Sequence, residues 1–389
     1  MTESSGSTIL VVDDNELNRD LLSRRLRRDG HTVVVAEHGR EALDRVAAEP
    51  FDLVLLDIMM PGLTGYEVLE QLKGNPALRH IPVVMITANT EEESIVRCLS
   101  LGAEDHLPKP FNASILRARV GSSLAKKKLH DRERIHARSL ERELEIGREI
   151  QTGFLPDALP APAGYEIAAH FRPARQVAGD FYDGFVLPDG RIALVLADVC
   201  GKGVGAALFM ALFRTLLRAL AAPQFAAASS PAAGLLATVR ATNDYIAETH
   251  GHANMFATVF FAVLDPASGA IEYVNAGHEL PVLVCAAGGV RGRLAPTGPA
   301  VGLMPDLEFV VGTDRLAAGE TLFAFTDGVT DARDPTDVAL GEDRLLALLG
   351  TAADTVAALL ARIDAALSAH IGDATQFDDV AMLAVRRTP

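Results

Sequence analysis

Four short apolar runs rich in Val, Ile and Leu, Ile9 to Val12, Thr32 to Ala36, Leu53 to Leu56 and Pro82 to Thr87, punctuate the first third of the chain. Continuous apolar runs belong to strands buried on both faces, and the stretches between them read as amphipathic helices. The pattern therefore predicts a doubly wound five-stranded parallel sheet, an α/β architecture, ending near residue 122. In the first helical stretch, Asn15 to Arg28, the residues Leu17, Leu21, Leu22 and Leu26 are expected on one face.

Such a sheet gathers its chemistry along one edge, because ligands of open parallel sheets bind beyond the carboxyl ends of the strands. Those ends carry Asp13 and Asp14, then Asp57, then Thr87, and after a short fifth strand Lys109. Three carboxylates form a hard oxygen site suited to Mg²⁺, and a lysine can hold an added phosphoryl oxygen. A divalent ion also reverses the penalty of crowding like charges. Singly, Asp13 reads equally well as a helix cap and Lys109 as a solvated loop residue; together the set reads as a phosphoryl-accepting site.

The segments ILVVDD, LLDIMMPGLTG, ITA and LPKPF resemble the signature segments of the response regulator receiver domain, over roughly residues 7 to 122. The resemblance implies a flavodoxin-like fold in which Asp57 is the phosphoacceptor, supplied by a sensor histidine kinase or phosphotransfer protein. It further implies Mg²⁺ on Asp13, Asp14, Asp57 and the Met59 carbonyl, with Thr87 and Lys109 on the phosphoryl oxygens and a cis bond at Lys109-Pro110. His106 departs from the family, which usually has a switch Tyr or Phe there.

From Ala125 to Leu155 the charges interleave, with sparse apolar residues at Leu129, Ile135, Leu140, Leu144 and Ile150. This is an exposed helix with a thin apolar seam, read either as a short coiled coil pairing two copies or as a helix lying on a neighbour. Pro156, Pro160 and Pro162 then stop it. The chain is thus expected to comprise residues 1–122, a helical linker 123–156 and a third segment 157–389.

In that third segment the extended stretches Arg191 to Ala197, Ala257 to Leu264, Ile271 to Asn275, Pro281 to Cys285, Glu320 to Thr326 and Val380 to Val385 are separated by turn signals. Helices are expected over Ala206 to Leu220, Ala232 to Thr249 and Asp354 to His370, the first two joined by a loop near residues 222–231. Meandering strands with grouped helices predict a mixed α/β β-sandwich flanked by helices. Aspartates fall at its strand ends and turns: Asp180, Asp198, Asp327 and the pair Asp378-Asp379. Carboxylates at the ends of buried strands are costly unless paired or bound to metal. No lysine or arginine is expected to match them, and metal is the better explanation. An all-carboxylate set favours Mg²⁺ or Mn²⁺ over Zn²⁺. Two such ions can share a water and set it in line with a phosphorus atom. Any one Asp-Gly pair alone is as well explained as a turn.

The motifs GDFYD, ADVCGKGVGAAL, NAGH, TDGVTDA and FDDVAML resemble those of the PPM (protein phosphatase 2C) superfamily in its SpoIIE-like branch, from about Glu145 to Val385. The preceding EIGREIQTGFLP resembles the helix found ahead of that branch. The resemblance implies a metal-dependent serine/threonine protein phosphatase in which Asp180 bridges two Mn²⁺ or Mg²⁺ ions. Asp198 and the Val199 carbonyl would hold one ion, and Asp327 with Asp378, preferred to Asp379, the other. Asn275 to His278 would line the substrate entrance, although His278 reads equally as a hydrogen-bonded turn residue. The implied substrate is a phosphorylated STAS-domain anti-sigma factor antagonist, hydrolysed under control of Asp57.

The formal net charge of -15 repels phosphate backbones and anionic lipid. Neither nucleic acid nor membrane is expected as a partner. Cys98, Cys200 and Cys285 are read as free thiols of a reducing compartment. Thr2, Glu3 and Ser4 lack signal-peptide order, and no apolar stretch is expected to reach a membrane span, so the location is expected to be cytoplasmic. The rival from another class is a pseudophosphatase adaptor, whose C-terminal segment binds a partner without chemistry.

Overall fold

Each aliphatic run of the N-terminal third is a strand in the computed structural model, which describes residues 6–88 and 92–389. Thr2, Glu3 and Ser4 lie outside the described residues. Two units divide the chain, Met1–Leu140 and Glu141–Pro389.

The first unit runs β1 (Thr8–Val12), α1 (Glu16–Arg28), β2 (Thr32–Ala36), α2 (Gly39–Ala48), β3 (Leu53–Asp57), α3 (Gly65–Gly74), β4 (Val83–Thr87), α4 (Glu92–Ser100) and β5 (Asp105–Pro108) before α5 (Ala113–Thr152). The sheet order is β2-β1-β3-β4-β5, with every ladder parallel. Ile9 and Val11 face one hydrophobic layer and Leu10 and Val12 the other, which is why the runs are unbroken. Asn15 caps α1, its side chain accepting from the Leu17 and Asn18 amides. Leu22 and Leu26 are buried beneath the sheet, but Leu17 and Leu21 are 78% and 40% exposed, against expectation. Leu17 lies five positions and Leu21 one position before Leu22, which at 3.6 residues per turn sets both well round the helix from the buried stripe.

α5 is one helix of 40 residues, so the charged stretch continues the helix that begins at Ala113 without a break. Leu129, Ile135, Leu140 and Ile150 are more than half exposed along it.

The second unit continues with β6 (Tyr165–Arg172), β7 (Phe181–Val186), β8 (Ile192–Val199), α6 (Val204–Ala227), α7 (Pro231–His250), β9 (Ala257–Leu264), β10 (Ala270–Ala276), β11 (Val282–Val284), β12 (Val290–Arg293), β13 (Gly312–Arg315), β14 (Thr321–Phe325), α8 (Glu342–Leu349), α9 (Val356–Ile371) and β15 (Val380–Arg387). Two antiparallel sheets result, β13-β10-β9-β8-β7 and β12-β11-β14-β15-β6. Leu194, Leu196 and Phe260 from one sheet and Leu322, Leu383 and Val385 from the other fill the layer between them. Outside, α6 and α7 cover the first sheet through Met210, Phe213 and Leu235, and α8 and α9 cover the second through Leu345, Leu360 and Ile363. The architecture is the expected helix-flanked sandwich.

Two expectations fail at α6. The helix runs through Pro223 to Ala227, where a loop was expected, because Phe225 joins the core and its ring sits where a side chain on Gly234 of α7 would be. That packing outweighs the backbone hydrogen bond a helical proline forfeits. α6 is also long and apolar enough, by length and composition, to cross a membrane. Here Met210, Phe213, Leu217 and Ala221 instead form its buried face against the first sheet.

Candidate functional site

The ends of β1, β3 and β4 bring Asp13, Asp57 and Thr87 together as buried polar residues, with Asp14 exposed beside them. Carboxylate oxygens of Asp13, Asp14 and Asp57 lie within 4.8 Å of one another. Lys109 Nζ stands 2.9 Å from both Asp13 Oδ2 and Asp57 Oδ1. Asp13 also accepts from the Asn18 side chain and the Asn15 amide, so its orientation is fixed from two directions. Burial pushes Asp57 up to about 6 and Asp13 adds to the rise, while the hydrogen bond from Lys109 opposes it. Burial alone would lower Lys109, but Asp57 and Asp13 outweigh it and raise its affinity for the proton. Met59 follows β3 with its side chain exposed, and the Lys109-Pro110 peptide is cis. His106 lies on β5 with its ring 3.7 Å from Asp105. The arrangement is a buried carboxylate, Asp57, flanked by the Lys109 cation and by further carboxylate oxygens, a set that could take a divalent ion.

The second set straddles the two sheets of the sandwich. Asp180 immediately precedes β7 and Asp198 lies at the end of β8, while Asp327 follows β14 and Asp378 precedes β15. Asp180 is fully buried, and its Oδ2 has no hydrogen-bond partner among the described residues. Burial, then Asp198 and Asp379, raise Asp180 well above the usual carboxylate range, with Thr326 opposing. Asp198 is pushed up to about 6 by burial and then by Asp327, with Asp180 opposing. Asp327 is raised by burial and then by Asp378 and Asp331. The set does not draw in as tightly as the first: among the described residues the only acidic group within 4.8 Å is Asp13, Asp14 and Asp57. An orphaned buried carboxylate oxygen amid mutually repelling acids is the environment a divalent cation relieves, so these residues fit Mg²⁺ or Mn²⁺.

One expectation about this set is overturned. Asp378 has a matching lysine, since Lys202 Nζ lies 2.6 Å from its Oδ2. The partner was hidden because the two residues meet across 176 positions of sequence, between the glycine-rich turn and the start of β15.

Neighbouring side chains hold the acids in place. Asp379 accepts from the Ala174 amide through Oδ1 at 2.7 Å and from the Gly179 amide through Oδ2 at 2.8 Å. Its two oxygens thus fasten the segment leading to Asp180. Gln151, in the last turn of α5, donates to the Ala178 carbonyl at 2.7 Å and accepts from the Ala178 amide at 2.9 Å. Gly179 has no room for a side chain, since a Cβ would meet the Val199 carbonyl at 2.8 Å. Asp183, the second acid of GDFYD, is buried on β7 and pairs with Arg218 at 2.7 Å and Arg214 at 3.1 Å, both from α6. Sequence reasoning missed Asp183, Gln151 and Lys202 in these roles; the only signal was their place inside the quoted motifs.

His278 is a turn residue. Its ring bonds Thr258 at 2.9 Å and its amide donates to Asn275 Oδ1 at 2.9 Å. Burial pushes it down to about 3, with the Phe325 carbonyl opposing. Burial, and then the charge of Asp327, raise the neighbouring Glu279.

Fold and acids together define a receiver domain followed by a PP2C-type sandwich. The family model for Stage II sporulation protein E (SpoIIE) matches residues 188–388 and that for the response regulator receiver domain matches residues 9–121, and the chain belongs to the SpoIIE phosphatase family with a receiver attached. It is similar to Protein IcfG of Synechocystis sp., at 44% identity over 263 residues, covering 63% of this chain and 41% of that protein. It is also similar to the alkaline phosphatase synthesis transcriptional regulatory protein PhoP of Bacillus subtilis, at 41% identity over 121 residues, covering 31% of this chain and 50% of that one. The chain therefore spans half or less of the length of these two relatives. The SiaA-PP2C domain of Pseudomonas aeruginosa aligns with a TM-score of 0.54 at 21% identity, covering 64% of this chain and 98% of that one, a likeness of fold.

Proposed function

We propose that the chain is a two-component response regulator whose phosphorylation on Asp57 controls a metal-dependent serine/threonine protein phosphatase in the cytoplasm. Residues 1–122 act as receiver, 123–156 as helical linker and 157–389 as phosphatase. A sensor histidine kinase or phosphotransfer protein supplies the phosphoryl group. Asp13, Asp14, Asp57 and the Met59 carbonyl would hold Mg²⁺, while Thr87 and Lys109 receive the phosphoryl oxygens. The exposed seam of α5 pairs two copies of the chain.

In the phosphatase, Asp180, Asp198, the Val199 carbonyl, Asp327 and Asp378 would hold Mn²⁺ or Mg²⁺. Bound there, the ions supply a water of lowered pKa and positive charge against the phosphoryl oxygens. The observation that carries the reading is the unpartnered, buried Oδ2 of Asp180 within this acidic set. Gln151 supports control from the linker, because it ties the end of α5 to the residue two before Asp180. The substrate is a phosphorylated STAS-domain anti-sigma factor antagonist, as the SpoIIE-like motifs suggest.

The test is hydrolysis of p-nitrophenyl phosphate and of a phosphorylated STAS protein with Mn²⁺. Wild type should turn over both, and Asp198→Ala should turn over neither while keeping its circular dichroism. A wild-type chain inert toward both substrates would favour the adaptor.

A further inference from the structure

The turn Gly201-Lys202-Gly203 brings a cation into the acidic set, and the reading above gives it no role. Lys202 is the only lysine after Lys128. Its Nζ pairs with Asp378 Oδ2 at 2.6 Å, donates to the Phe377 carbonyl at 2.9 Å and stands 4.7 Å from the centroid of the Phe377 ring. The Arg333 guanidinium also lies 4.7 Å from that ring, so the half-exposed Phe377 is flanked by two cations. Asp378 Oδ1 accepts the Asp379 amide at 2.9 Å. One oxygen of Asp378 is thus engaged by backbone, and the other by an ammonium on a flexible stem.

An ammonium and a divalent cation cannot both sit within bonding distance of one carboxylate oxygen without strong mutual repulsion. The turn can give way: Gly201 and Gly203 have φ of +88° and +81°, and each faces open space. A lysine between two glycines is free to leave Asp378 without dragging packed structure along. The Phe377 ring face keeps its charge nearby when it does.

We propose that Lys202 is a tethered competitor for the divalent cation at Asp378 and that, once displaced, it meets the phosphoryl group of the substrate. This rests on the phosphatase reading and adds to it a residue that sets both cation affinity and substrate recognition. The two roles have opposite signatures. Removing the ammonium strengthens cation binding and weakens substrate binding, whereas loss of a merely structural residue would weaken both.

The experiment is a calorimetric Mn²⁺ titration of the full chain, with the receiver site silenced by Asp13→Asn in every sample, alongside KM for p-nitrophenyl phosphate at saturating Mn²⁺. Lys202→Met should bind Mn²⁺ roughly tenfold more tightly and show a KM roughly tenfold higher, the scale of one charge-assisted hydrogen bond. Lys202→Arg, which keeps the charge, should stay near wild type in both. Unchanged or weaker Mn²⁺ binding by a folded Lys202→Met overturns the competition, and tighter binding with unchanged KM overturns the substrate contact. If the Lys202 parent itself takes up no Mn²⁺, the phosphatase reading falls as well, which separates the two failures.

Discussion

The two acidic centres differ in how they are assembled. In the receiver, Asp13 and Asp57 end adjacent strands of one parallel sheet, so the ladder register delivers them side by side and Lys109 spans both. In the sandwich, Asp180 and Asp198 belong to one sheet and Asp327 and Asp378 to the other. No single ladder brings those four together. They depend on a few side-chain ties, namely Asp379 to Ala174 and Gly179, Gln151 to Ala178, and Thr326 to Ala381, of which Asp379 to Gly179 crosses from one sheet to the other. A centre built by register is stiff by construction, whereas one built by a few ties can be loosened or tightened from outside.

The sharpest way to break this comparison is to disable each centre in turn. Asp57→Asn should abolish phosphoryl transfer from acetyl phosphate and leave basal hydrolysis of p-nitrophenyl phosphate in place. Asp327→Ala should do the reverse, lowering hydrolysis by at least about a thousandfold. Radiolabelling and steady-state kinetics read the two separately, and a crossed effect would mean the centres are not independent.

A smaller effect follows at Asp183. Asp183→Ala leaves Arg214 half of a buried pair without its partner and should lower the urea stability of the sandwich by about 3–5 kcal/mol. The receiver's transition should stay where it was. Gln151→Ala strips the Ala178 amide and carbonyl of their partner, at a cost of about 1–3 kcal/mol. Hydrolysis should also lose its response to Asp57 phosphorylation; a full response would remove the last turn of α5 from the route of control.

The smallest effect is one of pH. Burial holds the folded His278 at about 3, below the value near 6.5 expected when unfolded, so only the unfolded chain takes up the proton in between. Its stabilising contribution is complete above pH 6.5 and is lost as pH falls toward 3. Between pH 7 and 5.5 the loss is about 1.3 kcal/mol. Denaturation of wild type against His278→Gln at both pH values measures it, and equal slopes would show that His278 is protonated in the native protein.

The receiver was legible almost residue by residue, because strand ends in a parallel sheet carry short local motifs and converge without further information. The acids of the sandwich were legible as types at turns, but their partners were not. Lys202 meets Asp378 and Asp183 meets Arg214 across intervals that no local periodicity encodes. β6 escaped because seven of its eight residues are only partly buried, which blurs alternation, and β7 because Asp183 and Gly184 interrupt its apolar run. The continuation of α6 beyond Pro223 depended on Phe225 finding Gly234, a contact visible only in three dimensions.

Asp183 sits three residues beyond Asp180 on the strand that α6 grips through Arg214 and Arg218. Replacing Asp183 strands the buried Arg214 charge, whereas losing either arginine leaves Asp183 paired with the other, so neutral drift at Asp183 is confined to joint replacement with Arg214. A survey of natural variants should find 183 and 214 changing together, with 218 freer to vary. A screen for lost turnover would also catch them, and could mistake a mortise between helix and strand for part of the chemistry.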